Sequence, residues 1–248
     1  MKILALYSIK GGVGKTSSAV NLAYCAANTG LRTLVWDLDP QGASSYYFRI
    51  KPKIKGGGKD LISGKRELDD SIKGTDFENL DLLPADFSFR NFDLLLDDKK
   101  NPTKQLKKRL TSLSKDHDLV FLDCPPSISL LSEAVFAAAD FLLTPIIPTT
   151  LSLRTLEQLS EFIAQQELSN TTLVPFFSMV DRRKSLHKDI MLQVQEDYPS
   201  LLSTTVPYAS EIERMGLERK PLGAYSAKSR AAEAYRALWQ EIALRIRV

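Results

Sequence analysis

The sequence predicts an α/β protein in which a mostly parallel, twisted β-sheet is flanked by helices on both faces. Two observations support this prediction. Short apolar runs alternate with longer segments of helical periodicity, and a glycine-rich loop connects the first apolar run to the first helical segment. The chain has 248 residues, of which 44% are hydrophobic, so it is long enough to bury one sizeable core. We therefore expect a single globular domain over residues 1–248.

The predicted elements follow one another along the chain in alternating order. Strands are expected at 3–7, 33–36, 80–83, 119–122, 141–143 and 173–177, with a short one near Thr205. Helices are expected at 16–28, 103–113, 129–138, 151–167, 186–198 and 228–246. Residues 51–60 contain several lysines and three consecutive glycines, which favours a flexible surface loop in a peripheral insertion.

Charge, cysteine content and hydropathy exclude several classes of protein. The net charge of +3 is too small to make the whole surface a polyanion binder, although it leaves room for a local basic patch. Cys25 and Cys124 lie far apart and form no C-x-x-C pair, which is typical of free thiols in a reducing compartment. The N-terminus lacks the apolar length of a signal peptide, and no later run approaches about 18 apolar residues. We expect a soluble cytoplasmic protein.

The glycine-rich loop predicts a phosphate-binding site. The stretch K-G-G-V-G-K-T lies between the first predicted strand and the first predicted helix. Gly11, Gly12 and Gly14 let the backbone wrap closely around an anion with its N–H groups pointing inward. The N-terminus of the following helix adds a favourable dipole. We expect Lys15 to contact the terminal phosphates of a nucleotide and the Thr16 hydroxyl to ligate Mg²⁺.

Carboxylates follow two of the predicted strands. The motif L-V-W-D-L-D-P-Q-G ends a strand with Asp37 and Asp39, which would point to the same side if the strand continued through both. A strand-to-turn boundary alone would explain the proline and glycine but not the whole pattern. The motif H-D-L-V-F-L-D-C-P-P-S places Asp123 after an apolar run typical of a buried central strand. Ligands bind at the carboxyl ends of such strands, so we expect these side chains to face the phosphate site.

With these three motifs the chain resembles the ParA/MinD family of deviant Walker ATPases over nearly its whole length, most closely the short, Soj-like members. The common pattern G-x-x-x-x-G-K-[ST] fails here because Ile9 occupies its first glycine position, and a second lysine, Lys10, precedes the glycines. In the family this extra lysine reaches across a dimer interface to the nucleotide of the partner subunit. The resemblance therefore implies a P-loop NTPase fold of the deviant Walker (SIMIBI) class, with ATP held between two subunits.

The resemblance also implies roles for individual residues. Lys10, Lys15 and Asp39 would be catalytic, with Asp39 placing the attacking water. Magnesium would be held through Thr16, Asp37 and Asp123, the last two acting through water. The residues from Cys124 to Ser127 resemble the family's switch segment. The phosphate loop contributes the nucleotide-binding residues Lys10, Gly11, Gly12, Val13, Gly14, Lys15, Thr16 and Ser17.

Later segments resemble the family more weakly but in the same order. Residues 144–159 resemble the strand, loop and helix that build part of the dimer face. Segments 176–187 and 205–238 resemble those that frame the adenine and end the fold. An ordinary loop role accounts equally well for each adenine-side candidate. These candidates are Ser178, Met179, Asp181, Pro207 and Tyr208.

Many relatives hold bulk DNA without sequence preference when they are dimeric and ATP-bound. Basic residues in the late segments of this chain stand at corresponding places, although Glu211 aligns with a position that is usually arginine. Phosphate contacts by Lys and Arg would make such binding steeply salt-dependent, whereas a solvated basic surface is the simpler alternative. The candidates are Arg182, Arg183, Lys184, Arg214, Arg219, Lys220, Lys228 and Arg230.

Two alternative functions belong to other classes. A MinD-like membrane switch would need a basic amphipathic helix beyond the last core helix, and the terminal apolar stripe of Tyr235, Leu238, Trp239, Ile242 and Ile246 is better explained by packing on the sheet. An iron–sulfur ATPase would need paired cysteines at a subunit interface, and two distant cysteines do not supply a plausible set. An amidoligase-type relative is the remaining metabolic alternative.

The resemblance thus implies a Mg²⁺-dependent ATPase that forms a homodimer on binding ATP and associates with nonspecific double-stranded DNA of the nucleoid. A ParB-like protein or a small adaptor would stimulate hydrolysis, and the ATPase would position or segregate a cargo. Membrane association is not expected. Plasmid, chromosome and large protein assemblies remain open as cargoes.

Overall fold

A seven-stranded, mostly parallel sheet forms the centre of the molecule, as the sequence predicts. The computed structural model describes residues 1–165 and 171–248. The strand order is β3-β4-β2-β5-β1-β6-β7, and only the β3–β4 pair is antiparallel in the described parts of the chain. The strands are β1 (Lys2–Leu6), β2 (Thr33–Asp37), β3 (Lys73–Gly74), β4 (Leu80–Leu83), β5 (Leu119–Asp123), β6 (Phe141–Ile146) and β7 (Thr172–Phe177).

Each predicted helix overlaps an observed one, and the structure adds five further α-helices within its described residues. The predicted helices correspond to α1 (Lys15–Ala27), α5 (Pro102–Leu110), α6 (Leu130–Ala138), α7 (Thr150–Gln165), α8 (Ser185–Asp197) and α11 (Arg230–Ile246). Residues 166 and 167 of the predicted fourth helix lie outside the described residues. The added helices are α2 (Ala43–Tyr47), α3 (Gly57–Ser63), α4 (Phe92–Asp97), α9 (Ser210–Glu218) and α10 (Leu222–Tyr225).

Two local predictions are wrong. The segment near Thr205 forms no strand, because Val180 and Pro207 make a single isolated bridge. The glycine-rich segment 51–60 is not simply a loop, since its last residues begin α3. A Cβ on Gly58 would lie 2.9 Å from a ring carbon of Phe92, so the glycine permits close helix packing. Ile54 of the same segment is only 5% exposed.

The sheet separates two hydrophobic cores, because successive strand side chains point to opposite faces. Along β5, Val120 and Leu122 pack on the face covered by α6, whereas Leu119 and Phe121 pack on the face covered by α1 and α11. All four side chains are fully buried. Each stabilises the fold by roughly 1.5–3 kcal/mol. These cores hold the strands in register, so their carboxyl ends form one rigid edge.

The C-terminal helix belongs to the core. Ser229 caps α11 by accepting a hydrogen bond from the Ala232 N–H at 3.2 Å. The predicted apolar stripe is buried on the sheet: Tyr235, Leu238, Trp239, Ile242 and Ile246 are each 3% exposed or less. In the described part of the chain, no helix has the length and apolar character needed to cross a bilayer.

Candidate functional site

The phosphate loop connects β1 to α1 and uses two left-handed glycines. Gly12 has φ +72° and Gly14 has φ +93°, values that L side chains rarely adopt. A Cβ on Gly14 would also lie 2.9 Å from the Ser178 Oγ. Glycine is therefore required at this position both for backbone conformation and for space. The loop closes directly onto α1, whose first N–H groups have no side-chain cap.

Lys15 lies inside this loop. Its side chain is buried, with 7% of the residue exposed, and its Nζ donates a hydrogen bond to the Lys10 carbonyl oxygen at 3.1 Å. Burial lowers the pKa of Lys15, and the nearby Asp123 carboxylate opposes that shift. The loop thus holds a poorly solvated amine beside the glycine backbone, which suits it to contact phosphate oxygens.

Two carboxylates meet at the carboxyl ends of neighbouring strands. Asp37 on β2 is the register partner of Asp123 on β5, and both are fully buried. The Leu38 N–H donates to the Asp123 carbonyl oxygen at 3.0 Å and extends the pairing past the strand end. Burial raises the pKa of Asp37, and repulsion from Asp123 raises it further. Burial also raises the pKa of Asp123.

Three hydroxyl groups donate to the two carboxylates, and two of the residues that carry them are absent from the sequence-based candidates. The Ser45 backbone N–H and hydroxyl donate to Asp37 Oδ2 at 2.8 and 2.7 Å. The Ser44 hydroxyl donates to Asp123 Oδ2 at 2.7 Å, and the Thr16 hydroxyl donates to Asp123 Oδ1 at 3.3 Å. Both serines lie in the first turn of α2, which begins at Ala43, so a serine pair directly after D-P-Q-G-A is the sequence signal that could have identified them.

Asp39 lies near the same carboxylates, but a turn positions it rather than the predicted strand. β2 ends at Asp37, so alternation along a strand does not orient Asp39. It begins a turn in which its carbonyl accepts from the Gly42 N–H and its Oδ1 accepts from the Gln41 N–H, both at 2.9 Å. Its negative charge still contributes to the raised pKa values of Asp37 and Asp123, which are set mainly by burial. The three carboxylates therefore share one electrostatic environment.

The donor set fits Mg²⁺. Asp37 Oδ1 is buried and has no hydrogen-bond partner among the described residues. Carboxylate and hydroxyl oxygens of Asp37, Asp123 and Thr16 are hard ligands, and Mg²⁺ is usually held by one or two carboxylates together with water and substrate phosphates. Residues 1–165 and 171–248 contain no cluster of three or more His, Cys, Asp or Glu of the kind that forms an all-protein metal cage.

The segment from Cys124 to Ser127 lies beside the phosphate loop. The Tyr7 hydroxyl donates to the Ser127 carbonyl oxygen at 2.8 Å, and a Cβ on Gly11 would lie 3.9 Å from the Pro126 side chain. Cys124 is 2% exposed and its thiol is free. Burial raises the pKa of this thiol well above its ordinary value, so it remains protonated near neutral pH.

The adenine-side candidates come from two segments that the structure joins. Ser178 and Met179 follow β7 and lie beside Gly14, and Met179 has φ +53°. The Tyr208 N–H donates to the Val180 carbonyl oxygen at 3.1 Å, which brings Pro207 and Tyr208 to the same edge. Asp181 is already engaged within the chain, because the Arg183 guanidinium donates to both of its carboxylate oxygens at 2.9 Å.

The predicted DNA-binding residues divide into two groups. Three are already engaged: Arg183 pairs with Asp181, Arg214 pairs with Glu218, and the Arg219 guanidinium lies 4.4 Å from the Tyr46 ring centroid. The others form no ion pair within the chain segments that the structure describes. These are Arg182, Lys184, Lys220, Lys228 and Arg230. Arg182 and Arg230 line one cleft of about 260 Å³.

A glycine loop that opens a helix, a buried lysine within it, and carboxylates at adjacent strand ends define a P-loop NTPase. A protein-family model described as an AAA domain matches residues 1–175. The sporulation initiation inhibitor protein Soj of Bacillus subtilis is 30% identical over 248 residues, covering 98% of this chain and 98% of Soj. The chain belongs to the ParA/MinD family of P-loop ATPases, as its motifs predict.

Solved structures agree with this assignment. Cobyrinic acid a,c-diamide synthase from Mycobacterium smegmatis, with ADP and magnesium bound, has a TM-score of 0.82 at 27% identity, covering 97% of this chain and 93% of that one. A McdA–ATP complex from Cyanothece has a TM-score of 0.85 at 20% identity, covering 100% of this chain and 97% of that one, which is a likeness of fold. The fold is therefore one that accommodates nucleotide and magnesium.

Proposed function

We propose that this chain is a partition-type ATPase that dimerises on binding ATP, associates with nonspecific DNA and positions a cargo through partner-stimulated hydrolysis. One observation carries the proposal. The phosphate loop brings Lys15 and Thr16 next to the Asp37–Asp123 pair. Lys10 lies in the same loop, and its ammonium group forms no ion pair with any of the described residues. The similarity of this chain to Soj in sequence and to McdA in fold supports the proposal.

Nucleotide binding would use the interior of the loop. The Lys15 amine would hold terminal phosphate oxygens, and the loop N–H groups would hold the remainder. Mg²⁺ bound by Thr16 and, through water, by Asp37 and Asp123 would neutralise phosphate charge. Asp39, half-buried at the turn, would accept a hydrogen bond from the attacking water and orient it.

Dimerisation would complete the site. Lys10 adjoins the first turn of α7, since Lys10, Ser152 and Thr155 line one small crevice. Leu151 on that turn is 66% exposed, and Ile128, which directly follows Ser127, is 56% exposed. Such apolar side chains are suited to be covered by a second copy of the chain. A Lys10 ammonium delivered by that copy would stabilise charge developing on the phosphates, as arginine fingers do in other P-loop enzymes.

DNA binding would use the unpaired basic residues near β7 and α11. We assign Arg182 and Arg230 as the leading contacts because they line one cleft and form no ion pair among the described residues, although Glu233 also lines that cleft. Arg183, Arg214 and Arg219 would first have to leave Asp181, Glu218 and Tyr46. Phosphate contacts of this kind release counterions, so affinity would fall steeply with salt.

The test is retention of the ATP-bound chain on a random-sequence DNA duplex over a series of salt concentrations. We expect DNA binding that depends on ATP. The double variant Arg182→Ala with Arg230→Ala should bind DNA more weakly, and its affinity should fall less steeply with salt. Lys100→Ala with Lys104→Ala, which alters exposed lysines of the α5 region, is the matched control. Binding to anionic liposomes without DNA binding would instead support the MinD-like alternative. ATP turnover that requires cobyrinic acid would support the activity named for the M. smegmatis protein.

A further inference from the structure

A second basic cleft is lined by residues that follow α2 in the chain. Its volume is about 750 Å³. Five basic side chains line it, and Asp70 is the only carboxylate among the described lining residues. Five positive charges against one negative charge give the cleft a formal charge of +4, which exceeds the +3 of the whole chain. The basic residues are Lys51, Lys53, Lys55, Arg66 and Lys73.

The fold anchors the backbone that carries these charges. Ile54 lies between Lys53 and Lys55, is buried, and donates its N–H to Asp86 Oδ2 at 2.8 Å. Lys73 is on β3 in register with Leu82 of β4. The cleft is therefore lined by an anchored segment and a sheet edge, so the backbone that carries its cations is ordered before any ligand arrives.

One carboxylate outside the cleft lining influences these lysines without forming an ion pair: against the opposing effect of burial, hydrogen bonds from Ile54 and Ser88 lower the pKa of Asp86, and the nearby charge of Lys53 lowers it further. Arg66 pairs with Asp70 at 3.7 Å, whereas Lys51, Lys53, Lys55 and Lys73 form no ion pair in the described ranges of the chain. Like charges gathered around a concave surface repel one another and focus a positive potential into the cleft. A bound polyanion would remove that repulsion.

We propose that this cleft binds a small ligand carrying two or more phosphate groups. Its volume lies within the roughly 300–1,000 Å³ typical of small-molecule pockets. Lysine ammonium groups suit phosphate oxygens as point charges, and Ile50, Ile54 and Pro84 provide apolar surface for the rest of the ligand. A small ligand is favoured over a DNA duplex because the charges line a concavity of small-molecule size rather than an extended face. The proposal does not depend on the function assigned to the phosphate loop.

The test is calorimetric titration of inorganic tripolyphosphate into the full chain at low salt. Every protein in this experiment carries Lys15→Ala, so that tripolyphosphate binding at the phosphate loop is either absent or the same in all of them. The cleft variant carries Lys51→Gln, Lys53→Gln, Lys55→Gln and Lys73→Gln. The matched control carries the same charge change on four exposed lysines of the α5 region: Lys100→Gln, Lys104→Gln, Lys107→Gln and Lys108→Gln.

We expect the cleft variant to bind tripolyphosphate about tenfold or more weakly than the control variant, which should match the parent. Equal affinities in the two variants would overturn the proposal, since the effect would then be absent or due to net charge alone. Loss of affinity for a short DNA duplex with unchanged tripolyphosphate binding would also overturn it. If the fourfold variant melts early, Lys53→Gln with Lys73→Gln should still weaken binding several-fold.

Discussion

Asp37 and Asp123 lie in register on adjacent parallel strands, with both carboxylates buried and one oxygen of Asp37 without a partner in the described residues. Such an arrangement is unfavourable in the absence of a cation, because burial and mutual repulsion both disfavour the charged forms. The fold keeps the pair because both side chains sit at the end of β-strands whose register is fixed by the cores on either side.

The first prediction is that Asp37→Asn stabilises the metal-free protein. Asparagine keeps an acceptor oxygen for Ser45 and removes a buried charge, so we expect a gain on the order of 1–3 kcal/mol in the free energy of unfolding. Thermal unfolding in EDTA measures it. Added Mg²⁺ and ATP should stabilise the variant less than the parent. Asp118→Asn, which removes an exposed partner of Arg32, should give no gain, and a lower melting temperature for Asp37→Asn would contradict the argument.

A second prediction distinguishes the roles of the two lysines of the phosphate loop. Lys15→Ala should weaken nucleotide binding by about a hundredfold, because the buried amine is lost from the centre of the loop. Lys10→Ala should change binding little and lower hydrolysis by about a hundredfold or more, because in the proposed dimer its ammonium would act on the partner's nucleotide. Fluorescent-nucleotide titration and phosphate release report the two quantities. Unchanged hydrolysis in Lys10→Ala would show that this lysine has no catalytic role.

The third prediction concerns Asp39. Without a positioned water the barrier to hydrolysis rises by several kcal/mol, so Asp39→Ala should accumulate as an ATP-bound dimer. Gel filtration with light scattering in ATP should show twice the monomer mass, and ADP should return the monomer. A protein that stays monomeric in ATP would refute the role assigned to Asp39.

Fourth, Gly14→Ala should destabilise the protein and impair nucleotide binding. Its φ of +93°, together with the Ser178 Oγ only 2.9 Å from where the alanine Cβ would lie, leaves no relaxed conformation for alanine. We expect a loss of about 1–3 kcal/mol in urea unfolding. Gly216→Ala is the control: this glycine lies in α9 with open space around it, so alanine should stabilise by about 0.5–1 kcal/mol. Equal effects of the two changes would disprove the steric argument.

The strands and the longer helices could be predicted from sequence because their signals are local. Alternation of apolar runs with helical periodicity identified every strand of the sheet except the two-residue β3, and the order of motifs identified the family. The short helices α2, α3 and α4 were missed because fewer than two turns carry no reliable periodicity. Glycines at 56–58 suggested a loop, whereas here they serve a turn and a close packing contact with Phe92.

The sequence alone determined which chemical groups are candidates to bind a phosphate and a metal, because a glycine loop before a helix and carboxylates after buried strands carry that chemistry in their spacing. Tertiary structure decided the rest. Strand order brought Asp37 opposite Asp123, a turn rather than a strand brought Asp39 alongside them, and the fold after α2 placed Ser44 and Ser45 against the two buried carboxylates. It also divided the basic residues into paired and unpaired ones, because ion pairs depend on distances between side chains that spacing along the chain does not fix.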